Sequence, residues 1–174
     1  PDLHMLHFGL HGKHHYLSMS GNPNTGNVQR GPVDMLAAQY GPSIRTYGDA
    51  AGRLAPGVNP TNATNWAADI FTIYPNFWIA PFGHMYQTFS WWPLAHDRSL
   101  IRTDMYGTPP TTLAEKFAVN YAAAMSRDTW LEDLGTLEES QTVIGGGAVS
   151  HYYMQDQEIL CRHFMKVIDD DVCS

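Results

Sequence analysis

An α+β fold, an antiparallel sheet packed by C-terminal helices, follows from three observations. Residues 67–107 concentrate β-branched and aromatic residues between Pro and Gly breaks. Residues 111–170 carry apolar residues at helical spacing. The strand-like pieces are joined by connections too short for parallel crossovers, so neighbours must run antiparallel.

Each element has its own local signal. Residues 3–19 hold two short apolar and aromatic runs around Gly9 and Gly12, which suits a pair of short strands. Residues 20–66 are rich in Gly, Pro, Asn and Thr, and so long a loop in a compact domain is read as a covering loop. Within it Val33, Leu36, Ala37 and Tyr40 recur at helical spacing between Gly31-Pro32 and Gly41-Pro42, which predicts one short helix. The sheet pieces fall at about 67–74, 77–82, 84–92 and 99–106. In the last, Ile101, Thr103 and Met105 alternate with Leu100, Arg102, Asp104 and Tyr106, the pattern of a strand wet on one face.

The C-terminal third reads as three helices. Thr112 and Glu115 have capping-box spacing, and a helix runs from them to about Ser126 with Leu113, Phe117 and Tyr121 four apart. Asp128 or Thr129 caps the next, with Trp130, Leu134, Leu137, Val143 and Ile144 on one side and Gly145-Gly146-Gly147 as its stop. A last helix is expected from about Asp156 to Ile168, with Ile159, Leu160, Phe164, Val167 and Ile168 inward and Cys161 packed among them.

Composition narrows the function. The 174 residues fit one domain, residues 1–174, large enough to bury a core without disulfide or metal staples. A formal charge of −7 argues against binding nucleic acid through its phosphates. Cys161 and Cys173 make no disulfide framework or paired zinc motif, so a reducing, cytoplasmic setting is expected, and no segment reads as a secretory signal. The 27 uncharged residues from Ile70 to His96 are not read as a membrane span, because Pro75, Asn76, Pro81, Gly83, His84 and Gln87 interrupt them.

Two clusters could carry chemistry. His4, His7, His11, His14 and His15 are residues of metal-binding type, but Gly9 and Gly12 disfavour the helix that would gather them, so they are read as strand and turn histidines. The segment from Trp130 to Gln141 places Asp133 on a helix among apolar and amide neighbours. By its chemistry alone Asp133 reads as a solvated acid near a helix start, where carboxylates favour the positive end of the macrodipole.

The order Trp130, Asp133, Glu139, Gln141 resembles the carboxylate-ligand helix in the catalytic domain of Rieske non-haem iron oxygenases, the ring-hydroxylating α subunits. Ile73-Tyr74-Pro75-Asn76 resembles that family's aromatic-Pro-Asn strand, and Ser90-Trp91-Trp92-Pro93-Leu94 the end of its next strand. Phe8-Gly9-Leu10-His11-Gly12 resembles its Pro-His-Gly turn, and Glu158 to Phe164 its terminal helix, so the resemblance spans nearly the whole chain.

The resemblance implies a helix-grip catalytic domain in which Asp133 is the catalytic and metal-binding carboxylate of a mononuclear Fe(II), with Ala68, Ile70, Ala80 and Trp130 lining the substrate cavity. It further implies electrons from a Rieske [2Fe-2S] cluster fed by a ferredoxin or reductase, dioxygen and a small aromatic or hydrophobic substrate, and a homotrimeric or α3β3 assembly. The chain departs from the pattern in lacking Cys-x-His, Cys-x2-His and Asp-x2-Tyr-His-x4-His, so it is expected to be a fragment, inactive alone. Two other readings compete: a non-catalytic helix-grip module holding a hydrophobic ligand, and a zinc hydrolase built on His4, His7 and His11.

Overall fold

The computed structural model describes residues 3–21, 32–40, 57–63, 66–82 and 85–174. Six strands form one antiparallel sheet in sequence order: β1 (Leu3–His11), β2 (His14–Gly21), β3 (Trp66–Ile73), β4 (Phe77–Phe82), β5 (Met85–Ala95) and β6 (Arg98–Gly107). Three helices accompany it: α1 (Pro32–Tyr40), α2 (Leu113–Gly145) and α3 (Ile159–Cys173). This is the α+β architecture expected. Outside α1 and residues 57–63, most of the expected covering loop lies outside the described residues.

Short connections enforce the antiparallel order. Gly12 takes φ +59, the left-handed conformation that lets two residues reverse β1 into β2. Gly9 serves another purpose: a Cβ there would collide with the Tyr16 ring, which lies across it and stacks on Phe71 at 5.9 Å. Between β3 and β4, Asn76 anchors its turn to β5, donating from Nδ2 to the Trp91 carbonyl at 2.9 Å and accepting the Trp91 N–H at 3.0 Å. Strand β5 runs past the expected end at 92, and Pro93 is accommodated by a register shift between Pro93 and Ala95.

Register decides which residues face the helices. Thr72 pairs with Trp78, Trp78 with Phe89, Ala80 with Gln87, Phe89 with Thr103 and Gln87 with Met105. With side chains alternating along each strand, Ala68, Ile70, Ala80, Gln87, Phe89, Thr103 and Met105 share one face. Phe89 on that face meets Trp130 of α2, ring centroids 4.4 Å apart, so α2 lies across it. Ala68, Ala80 and Phe89 are almost completely buried there.

The long helix corrects the sequence reading. Instead of ending near Ser126 and restarting at Asp128 or Thr129, α2 is one helix of 33 residues. The two residues expected to cap a new start are satisfied inside the continuous one: Thr129 Oγ1 donates to the Met125 carbonyl at 2.9 Å, and Asp128 accepts from Arg127. With no Gly or Pro between Ser126 and Trp130, nothing breaks the ladder. The capping box at its start is formed, Thr112 Oγ1 accepting the Glu115 N–H at 3.1 Å.

Of the residues expected on one side of this helix, Leu137, Val143 and Ile144 are exposed. A helix of 33 residues extends about 50 Å at 1.5 Å per residue, whereas the 10 residues of β6 extend about 33 Å. Beyond Leu134, accordingly, the last turns of α2 are exposed. Its stop is as expected: the Gly146 N–H bonds to the Thr142 carbonyl at 3.0 Å and Gly147 turns at φ +70.

Helix α3 starts at Ile159, later than expected, and docks at the other end of the sheet. Phe164 packs edge-on against His15 and Tyr74, and Val167 is buried, but Cys161 is exposed rather than packed. Lys13 in the β1–β2 turn closes the contact, bonding Asp171 Oδ2 at 2.7 Å.

Candidate functional site

Between the helix-facing side of β5–β6 and the middle of α2 lies a cavity of about 270 Å³. Its walls are mainly apolar, with Ile101, Met105, Trp130 and Leu134 among them. The sequence builds these walls from two periods at once. Alternation in β6 aims Ile101, Thr103 and Met105 inward, while Trp130 and Leu134, one turn apart, share a face of α2.

One polar feature of the wall, which also includes Thr103, is a side-chain pair bridging sheet and helix. Gln87 Nε2 donates to Ser126 Oγ at 2.8 Å, and Ser126 Oγ donates to Gln87 Oε1 at 3.0 Å. Both residues are nearly fully buried and both line the cavity. Arg127, next along the helix, also lines it. Reading the sequence alone missed Gln87 and Ser126. The signal was present: Gln87 is the one amide in the alternating row Met85, Gln87, Phe89, Trp91, and a buried amide among apolar residues calls for a partner.

The expected site residues separate. Trp130 borders the cavity. Ala68, Ile70 and Ala80 lie on the same face of the sheet but not in the cavity wall, Ala80 being the cross-strand neighbour of Gln87. Asp133 is exposed, three residues after Trp130 and next to Leu134, outside the lining.

A mononuclear Fe(II) centre of the oxygenase type needs two imidazoles and a carboxylate on one face. Among the described residues no group of three or more His, Cys, Asp or Glu side chains converges to hold a metal. Asp133 by itself does not make such a centre, and His7 and His11 on β1 do not gather a zinc set. Two other histidines do meet, His15 of β2 and His163 of α3, edge to face with centroids 6.0 Å apart. Burial, and after it the neighbouring His163, pushes the His15 imidazole below its ordinary pKa.

Set beside known families, residues 4–173 match the model described as ring hydroxylating alpha subunit (catalytic domain). The match covers nearly the whole chain, which belongs to this family of ring-hydroxylating oxygenase α subunits. No curated protein matches the chain. No solved structure matches it. Among the described residues no helix is long and apolar enough to cross a membrane.

Proposed function

We propose that this chain is the helix-bearing part of an oxygenase catalytic domain, which holds a small aromatic or related hydrophobic substrate between α2 and β5–β6. In this reading Asp133 supplies the one carboxylate to an Fe(II) whose two histidines come from outside residues 1–174. The supporting observation is the cavity itself, whose position on α2 sets Trp130 and Leu134 against the substrate space with Asp133 between them in sequence. Ala68, Ile70 and Ala80, on the same sheet face, are assigned in this reading to the part of the substrate space that would lie beyond the wall described above.

The rest of the reading is our proposal, supported by the resemblance to the family. Iron supplies the dioxygen chemistry, a Rieske [2Fe-2S] domain and a ferredoxin or reductase supply electrons, and the α subunits assemble as a homotrimer or α3β3 in the cytoplasm. The chain's own residues exclude water and hold the substrate. Hydroxylation is the reaction class, on an aromatic or related C–H or C=C bond, and the fragment alone is inactive.

One observation favours a second reading, a non-catalytic module holding a hydrophobic ligand: Asp133 stands outside the cavity wall. Incubating the complete α subunit and its electron donors with a panel of small aromatic compounds, with and without a hydrogen-bonding substituent, under ¹⁸O₂ separates the two. Labelled hydroxylated product from at least one is expected; compounds bound but all recovered unchanged would support the binding module.

A further inference from the structure

The Gln87–Ser126 pair is only half used by its own hydrogen bonds. A primary amide offers two N–H donors and an oxygen with two lone pairs. Among the described residues Ser126 takes one donor and one lone pair, which leaves each end of the Gln87 amide with capacity to spare. That capacity lies at a cavity wall, since Gln87 borders the same space as Met105, Trp130 and Leu134. A cavity serving only a hydrocarbon gains nothing from a buried amide there, because desolvating it costs free energy that an apolar side chain of like size would not.

We infer that the cavity takes an aromatic compound carrying one hydrogen-bonding substituent, a hydroxyl, carbonyl or amine, which the Gln87 amide recognises while Ser126 fixes the amide plane. Gln87 is then a specificity-determining residue. The hydroxyl of a phenol both donates and accepts, so it can bond the free lone pair of Oε1 or the free N–H of Nε2. Ser126 holds the amide by both ends, which removes rotamer freedom that recognition would otherwise have to freeze. This inference rests on the cavity being the substrate space proposed above.

Toluene and p-cresol differ by one hydroxyl and test the inference as binding probes, without need of turnover. In the complete α subunit carrying ¹³C-methyl methionine, the Met105 methyl signal reports occupancy. The expected result is p-cresol binding about tenfold more tightly than toluene, the worth of one buried hydrogen bond. In the double variant Gln87→Met with Ser126→Ala, the ratio of the two affinities should fall to near unity. Removing both partners together leaves neither unpaired, so the variant is expected to fold. Equal binding of the two probes by the unsubstituted protein, or a preference that survives in the double variant, would overturn the inference. If neither probe moves Met105, the cavity assignment fails, and the inference with it.

Discussion

The carboxylate of Asp69, wholly buried in β3, accepts the indole N–H of Trp66 on Oδ1 at 2.8 Å. Its other oxygen accepts the backbone N–H of Asn59 at 2.7 Å, which ties residues 57–63 to the sheet. Asn59 is buried at φ +51, and its side chain closes the turn through both the N–H and the carbonyl of Ala63. Replacing Asp69 by Ala leaves two buried donors without acceptors, at about 1–3 kcal/mol each. A loss of about 3 kcal/mol in urea unfolding is expected; a loss below about 0.5 kcal/mol would show that the donors find other partners.

Ser18 pairs with Asp69 across β2 and β3, and it is equally buried, yet among the described residues its Oγ has no hydrogen-bond partner. The opposite outcome follows. Ser18→Ala removes a desolvated hydroxyl without orphaning anything, so stability should stay level or rise by up to about 1 kcal/mol. A clear loss of stability would mean that the hydroxyl is bonded in solution.

Acidification should loosen the docking of α3. His15 Nδ1 and His163 Nε2 are both buried, with no partner among the described residues, where β2 meets α3. The groups packed there are Phe164 and His163 from α3, with Lys13 and Asp171 paired to each other at the edge. The folded state holds the His15 pKa below the ordinary 6.5, so its contribution to stability is complete above that pH. It is lost as pH falls from there through the lowered value. Thermal unfolding between about pH 7.5 and pH 5.5 should show this loss, and His15→Gln should show less of it. An identical fall in the variant would remove His15 as its cause.

Phe89 carries the packing of sheet on helix, being almost completely buried against Trp78 and Trp130. Phe89→Ala should cost about 3–5 kcal/mol. The variant should also enlarge the cavity beside Gln87, read as tighter binding of bulkier aromatic probes. A cost below about 1 kcal/mol would mean that the site collapses around the missing ring.

Most of the sheet was legible because its signals are local. Alternation in β6, the Pro-Asn turn before β4 and the capping box at Thr112 each need only a few neighbouring residues. The continuity of α2 was hidden because Asp128 and Thr129 suit a helix start and a helix interior alike, and only their partners, Arg127 and the Met125 carbonyl, decide between them. The exposure of Leu137 and Ile144 depends on the length of the sheet, which helical periodicity cannot report. Gln87 and Ser126 are 39 residues apart, and no short-range pattern joins them. Asp133 was marked by its resemblance to a family motif rather than by its surroundings, where it is exposed.

The most direct test of the account is the iron content of the complete α subunit with and without Asp133. Iron bound per catalytic domain, counted apart from the Rieske cluster, should be near one in the unsubstituted protein and near zero in Asp133→Ala, with the helical content of the protein unchanged. Full retention of that iron by the folded variant would contradict the assignment of Asp133 as its carboxylate ligand.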